Sequence, residues 1–190
     1  IWFWAGLSKL GCFGDGGAIV TNDDKVAEKI GLLRDHGRNE EGVVVAWGLN
    51  SRLDNLHAAV LDLKLKSFRE DIERRRKIAA LYQEGLGDVD DLVLPPAPDA
   101  DPRHFDVYQN YELEADQRSE LREYLAESGI GTIIQWAGTP VHQFKELGFT
   151  DQLPKTDEFF RRCLMLPMNM ALSDEDVSYV IASVRRFYGK

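Results

Sequence analysis

The sequence predicts an α/β chain that ends in a small α+β domain, and three stretches carry this prediction. A glycine-rich turn, Gly14 to Gly17, precedes a short β-rich run from Ala18 to Thr21. A helical pattern of about 33 residues runs from Asp54 to Leu86. From Asp106 onward the predicted order is strand, helix, strand, helix, helix, which is typical of a small α+β domain.

Length and composition limit the classes of function that fit this sequence. The 190 residues suffice for one ordinary core or two small ones, and 44% hydrophobic with 29% charged residues is typical of a soluble globular protein. A net charge of −9 argues against nucleic-acid binding. Every apolar run is shorter than the ~18–20 residues of a membrane helix, so we expect no membrane partner. Cys12 and Cys163 are too far apart in sequence to indicate a disulfide framework or a metal site, and we expect a cytoplasmic protein.

Lys9, just before the glycine-rich turn, is the first candidate for chemistry. Asp-Gly between apolar runs is typical of a tight β-hairpin, in which Lys9 would be an ordinary surface residue. A lysine beside such a turn can instead form a Schiff base with a carbonyl cofactor. A phosphate-binding loop is a third interpretation, although no Gly-Lys-Ser/Thr follows the glycines. The residues alone leave these alternatives open.

The first half of the chain is predicted to be mainly helical after the turn. Asn22 to Asp24 is a helix-start signal, and Gly37 is placed to end that helix. The helical pattern from Asp54 to Leu86 is long for one globular helix, so we expect a break near Lys66-Ser67. This break predicts three parts: residues 1–66, a connecting helix and linker over 67–103, and a small domain over 104–190.

The second half alternates strand and helix patterns around a loop that contains His142. The predicted elements are a strand over Asp106–Glu114, a helix over Gln117–Ser128, a strand over Gly129–Trp136, a helix over Lys155–Cys163, an extended run over Leu164–Met168 and a last helix that starts at Ser173. Ser173 and Asp176 have the spacing of a capping box. A histidine in a loop is as often a hydrogen-bonded structural residue as a functional one.

Several of these stretches resemble one family, the DegT/DnrJ/EryC1/StrS pyridoxal-phosphate-dependent sugar aminotransferases. The segment from Leu10 to Thr21 resembles its cofactor-lysine segment, although the family's lysine falls on Ser8, one place before Lys9. The Arg-x-His-Gly-Arg run at 34–38 and the Gly-x-Asn-x-Arg run at 48–52 are similar to family segments. So are Pro140 to Gln143 and the extended run before the last helix.

The resemblance implies a fold and an activity. The fold would be the C-terminal half of an aspartate-aminotransferase-like (fold type I) enzyme with a small α+β C-terminal domain. The activity would be transfer of an amino group from an amino acid, typically glutamate, to a keto group on a nucleotide-linked sugar. The implied cofactor is pyridoxal phosphate, and the implied assembly is a homodimer with shared sites.

The resemblance also assigns roles to residues. Lys9 is the catalytic amine, and Asn50 reaches the cofactor phosphate of the neighbouring subunit. Arg52 helps to order the same loop or the active-site wall, and His142 lies on the substrate side. Without the resemblance, Asn50 and Asp54 would be interpreted as caps of the following helix. Moving a lysine by one place along a strand reverses the face on which it lies, so Lys9 fits the role only where the strand is shifted or bulged.

Family members are about twice this length, and the half that precedes the lysine carries most of the cofactor contacts. We therefore expect a truncated relative or a longer natural protein, and this chain alone to lack a complete site. The alternative function is a catalytically inactive, truncated relative that serves as a binding or dimerisation module.

Overall fold

The structure, a computed structural model, describes residues 2–4, 11 and 16–190. The chain divides into two compact units, Ile1–Arg69 and Glu70–Lys190. Helices and short antiparallel strands occur in both units. Within the described residues, no helix has both the length and the apolar character needed to cross a bilayer.

Two short strands open the first unit. β1 (Trp2–Trp4) pairs antiparallel with β2 (Gly17–Ile19), with Trp4 opposite Gly17. The tight hairpin expected at Asp15-Gly16 falls largely outside the described residues. Among the described residues, β2 pairs with β1, and twelve residues separate the two strands.

The first helix, α1, spans Asp24–Arg34 and begins as predicted. The carboxylate of Asp23 caps it by accepting from the backbone N–H of Lys25 at 2.9 Å and of Val26 at 3.2 Å. After the helix, Gly37 has φ +72° and its N–H donates to the carbonyl of Leu32 at 2.8 Å. This bond closes the end of the helix and turns the chain into the next loop.

The second helix, α2, is continuous over Asn55–Leu86, so the predicted break near Lys66-Ser67 is wrong. No Gly or Pro occurs between Asn55 and Glu84, and Lys66 pairs with Asp62 one turn earlier at 2.8 Å. With no helix breaker at 66–67, the i→i−4 hydrogen bonds continue. The last turns of α2 bury side chains in the core of the second unit.

The basic run at residues 74–77 does not form a simple solvated face. Two of its side chains pair with Asp174, which opens the last helix. The other two donate to backbone carbonyls between Asp106 and Gln109. The run therefore fastens the loops of the second unit to α2.

The second unit is built on a three-stranded antiparallel sheet. Its strands are β3 (Leu92–Val93), β4 (Tyr111–Ala115) and β5 (Cys163–Leu166), in the order β3-β4-β5. Its complete helices are α3 (Arg118–Glu127), α4 (Pro154–Arg162) and α5 (Asp174–Phe187). Alternate residues of β4 point into a core shared with α2, α3 and α5. The predicted capping box of the last helix is confirmed, since Ser173 and Asp176 bond reciprocally.

Three predictions about strands need correction. β4 starts at Tyr111 rather than at Asp106, because Tyr108 has φ +47° in a turn closed by the Asp106 carboxylate. The predicted strand at 129–136 is reduced to one bridge, Ile133 to Met165, and the chain then turns through left-handed residues at 136–138. β3 lies in the stretch that was predicted to be an exposed connector.

Candidate functional site

Lys9, the predicted catalytic amine, lies outside the described residues, as does Ser8. Parts of its segment are described, namely Gly11, Gly16 and Gly17. Gly11 has φ +83°, and a Cβ there would lie 3.5 Å from Cε of Lys64 on α2. Glycine therefore suits this position by its backbone conformation, while a Cβ at 3.5 Å from Lys64 would make only an ordinary contact.

A half-open cavity of about 580 Å³ joins the glycine-rich segment to the predicted Asn-x-Arg loop. Three parts of the first unit line it: residues 16–19, the face of α1 that carries Ile30 and Arg34, and residues 50–53. The fold thus brings Asn50 and Arg52, which the sequence predicts to bind the cofactor, next to the glycines.

Backbone hydrogen bonds tie the loop before Asn50 to the end of α1. The N–H of Leu49 donates to the carbonyl of Leu33 at 2.7 Å, and the N–H of His36 donates back to Leu49 at 3.0 Å. The N–H of Ser51 donates to Arg34 at 2.9 Å. These bonds place Asn50 by backbone geometry, independently of its own side chain.

Two glycines allow this close pairing. A Cβ at Gly37 would lie 1.8 Å from the carbonyl oxygen of Ala46, and a Cβ at Gly48 would lie 2.2 Å from the nitrogen of Gly37. Any side chain at either position would collide with backbone, which cannot move aside cheaply. The glycines of the runs at 34–38 and 48–52 therefore serve one contact.

The side chain of Asn50 is oriented by Arg52. Nε of Arg52 donates to Oδ1 of Asn50 at 3.1 Å, and Nη1 of Arg52 lies 3.5 Å from Oδ1 of Asp35. With Oδ1 accepting from Arg52, the Nδ2 group of Asn50 is left as a donor. Asn50 lies five residues before α2 begins and does not cap it, so the helix-cap interpretation fails. An amide donor next to a guanidinium fits a phosphate group.

His142 is in the second unit, in a short 3₁₀ turn over Val141–Gln143. Its side chain is only 6% exposed, and Nε2 lies 2.9 Å from Oδ1 of Asp157, which also accepts from Gln143 at 2.6 Å. Nδ1 is buried without a hydrogen-bond partner among the described residues. Asp157 was not singled out from the sequence, since nothing in the local pattern of α4 marks it.

Burial raises the pKa of several titratable side chains in the second unit. Burial raises the pKa of the Cys163 thiol, so this thiol stays protonated near neutral pH. Burial also raises the pKa values of Tyr82 and Tyr111, whose rings pack in the core. Burial raises the pKa of the Glu112 carboxyl as well, which lies on the partly buried face of β4.

The model of the DegT/DnrJ/EryC1/StrS aminotransferase family matches residues 4–185 of this sequence. The chain belongs to this family. The prediction made from the motifs is therefore confirmed, and the match extends across both units of the DegT/DnrJ/EryC1/StrS chain.

Curated relatives and solved structures agree with this assignment. The chain is 39% identical to a pleiotropic regulatory protein of Geobacillus stearothermophilus, over 94% of this chain and 49% of the relative. It is 37% identical to the dTDP-3-amino-3,4,6-trideoxy-α-D-glucose transaminase of Streptomyces venezuelae, over 94% of this chain and 47% of that enzyme. The crystal structure of S. venezuelae DesV in complex with a ketimine intermediate superposes with a TM-score of 0.91 at 33% identity, covering 100% of this chain and 51% of DesV.

These matches confirm the predicted fold, the C-terminal half of a fold type I enzyme with its small α+β domain. The chain spans about half the length of the curated relatives it matches. Pyridoxal phosphate is the cofactor of this family, as the resemblance predicts, and solved structures of the same fold contain it or its amino form, PMP.

Proposed function

We propose that this chain forms part of a pyridoxal-phosphate-dependent aminotransferase that transfers an amino group from an amino acid, such as glutamate, to a nucleotide-linked keto sugar. One observation carries the proposal: the oriented amide of Asn50 lies on a cavity shared with the glycine-rich segment. The family match and the transaminase relative support the same activity.

The first role belongs to Asn50 and Arg52. Nδ2 of Asn50 would donate a hydrogen bond to the cofactor phosphate of the neighbouring subunit, and Arg52 keeps that amide in the donating orientation through its 3.1 Å bond to Oδ1. Asp35 lies 3.5 Å from Arg52 and forms an ion pair with its guanidinium. A hydrogen bond to a charged group is worth about 1.5–3 kcal/mol, so this contact matters for retention of the cofactor.

Lys9 is the proposed catalytic amine. Bound pyridoxal phosphate supplies the electron sink for amino-group transfer. In this proposal, Nζ of Lys9 holds the cofactor, and the same atom moves a proton as the general base.

His142 is proposed to serve the substrate side of the site. Its pairing with Asp157 supports this by fixing the turn over Val141–Gln143, which carries the histidine. Gln143 binds the same carboxylate, so three side chains hold one loop. His142 then acts by fixing the shape of this loop as well as by any contact of its own.

A homodimer is the proposed assembly. Trp47 is 97% exposed and Leu49 is 70% exposed, and both precede Asn50 in the loop that is proposed to reach a second subunit. Large apolar side chains exposed together typically mark an interaction surface. Sedimentation of the wild type and of Trp47→Ser tests this: a dimer that becomes monomeric in the variant supports the proposal, and a wild-type monomer at high concentration contradicts it.

The first experiment is borohydride trapping. The purified chain is incubated with pyridoxal phosphate, reduced, digested and mapped by mass spectrometry, beside Lys9→Ala and the matched surface variant Lys25→Ala. We expect the label on Lys9, lost in Lys9→Ala and kept in Lys25→Ala. Absent or scattered labelling would contradict the proposed site and favour the alternative, a binding or dimerisation module.

The second experiment tests Asn50. Asn50→Asp replaces the amide donor by a carboxylate that repels phosphate, whereas Asn22→Asp makes the same charge change at an exposed residue outside the cavity. We expect Asn50→Asp to weaken retention of pyridoxal phosphate about 10- to 100-fold, the equivalent of one charge-assisted hydrogen bond. Equal retention by the two variants would contradict the assigned role.

A further inference from the structure

The charged side chains that line the cavity in the first unit are positive, although the protein as a whole is negatively charged. The protein as a whole has 32 acidic against 23 basic residues. Among the described residues that line the cavity, however, the charged ones are Arg34 and Arg52, with no Asp or Glu. A depression with two guanidiniums in a protein of net charge −9 is a local attraction for anions.

The two arginines differ in how their donors are used. Arg52 already donates to Asn50 and lies next to Asp35, so its charge is partly neutralised. Arg34 makes one long contact among the described residues, from Nε to the carbonyl of Ser51 at 3.5 Å. Among the described residues, its Nη1 and Nη2 groups have no hydrogen-bond partner, and they can present a planar pair of donors to an oxyanion.

The position of Arg34 is fixed by backbone rather than by its own ion pairs. It is the last residue of α1, and its carbonyl accepts from the N–H of Ser51 at 2.9 Å. A cation in the last turn also interacts favourably with the helix dipole, but that interaction leaves its N–H donors unused. The backbone of Arg34 is therefore held in place, while its guanidinium makes only the long contact to Ser51 among the described residues.

We propose that Arg34 is a phosphate-binding residue, which joins Asn50 in holding a phosphate group at this cavity. The inference rests on the proposed function, since it assigns a second ligand to the anion that Asn50 is proposed to bind. The phosphate could belong to the cofactor or to the diphosphate of a nucleotide-linked sugar. Both sources present the same oxyanion to the guanidinium.

The test compares Arg34→Gln with Arg38→Gln, which removes the same charge from an exposed residue four positions later and outside the cavity lining. Inorganic phosphate is titrated into each labelled protein, and the amide signals of residues 50–53 are followed by NMR. We expect a saturable shift in the wild type, a loss of affinity of about tenfold or more in Arg34→Gln, and wild-type behaviour in Arg38→Gln. Arg34→Lys should keep part of the affinity, since the charge remains and the paired donors are lost.

Titrations with PMP, pyridoxamine and dTDP then identify the source. Dependence on Arg34 for PMP but not for pyridoxamine assigns the site to the cofactor phosphate, and dependence for dTDP assigns it to the substrate diphosphate. Equal affinities in Arg34→Gln and Arg38→Gln for every probe, with unchanged spectra elsewhere, would overturn the inference. If phosphate binding depends on Arg34 but Lys9 is not labelled in the borohydride experiment, the result would contradict the proposed function and leave this inference standing.

Discussion

The contact between Gly37 and Gly48 allows a sharp test of how the Asn50 loop is positioned. In Gly48→Ala, the new Cβ would lie 2.2 Å from the nitrogen of Gly37 and 2.6 Å from the carbonyl carbon of His36. Gly48 does not have a left-handed φ, so the added methyl acts through steric overlap rather than through backbone strain. All of its effect should therefore come from separation of the two loop segments.

The size of the effect follows from these distances. Ordinary contact requires about 3.4 Å or more, so the segments must separate by about 1 Å. That displacement lengthens the bonds from Leu49 to Leu33 (2.7 Å) and from His36 to Leu49 (3.0 Å). Loss of two backbone hydrogen bonds costs about 1–3 kcal/mol. Asn50 follows Leu49 directly, so its amide would shift with the loop, and binding of phosphate at Asn50 should weaken as well.

Hydrogen exchange of peptides over residues 33–51, together with phosphate titration, measures both effects. Gly31→Ala is the matched control, because Gly31 is inside α1 and a Cβ there has no neighbour within 4 Å. Gly31→Ala should slow exchange in α1, since alanine favours helix by up to about 1 kcal/mol. If Gly48→Ala exchanges and binds like the wild type, the loop tolerates the methyl and our account of Asn50 positioning is wrong.

Two further predictions concern the second unit. Gly85→Ala should destabilise the protein by about 1–2 kcal/mol in urea denaturation, although alanine has the better helix propensity. The reason is that the new Cβ would lie 2.7 Å from Cγ2 of Ile181, whose β-branched side chain is stiff. A stabilised variant would contradict this packing. Lys77 and then Arg74 lower the pKa of the Asp174 carboxyl below 3.8, so their pairing stabilises the fold above that pH and is lost as the pH falls through the lowered value. Asp174→Asn should therefore show a smaller loss of thermal stability between neutral and acid pH than the wild type, and equal losses would refute the assignment.

Local signals in the sequence were sufficient for the helix boundaries. Asp23 and Ser173 cap α1 and α5 as predicted, because a cap depends on residues within one turn of it. The expected break at Lys66-Ser67 failed because it rested on average helix length, whereas the residues themselves contain no breaker.

Long-range contacts explain the rest. The pairing of β2 with Trp2–Trp4 joins residues far apart in sequence, and no local signal around β2 indicates this partner. Asn50 and Arg52 were predicted through the family motif, but their mutual hydrogen bond and the cavity are properties of the folded chain. Arg34 belongs to the Arg-x-His-Gly-Arg run that resembles the family, but nothing in that run indicates that Arg34 and Asn50 line the same cavity.

The basic run at residues 74–77 has a practical consequence for mutagenesis. In the printed sequence it is the densest block of positive charge, and a common test for polyanion binding replaces such a block with alanine. Here the guanidinium and ammonium groups satisfy Asp174 and the carbonyls between Asp106 and Gln109. Neutralising the run would release these loops of the second unit, so a loss of any binding activity in that variant would report unfolding rather than a missing contact surface.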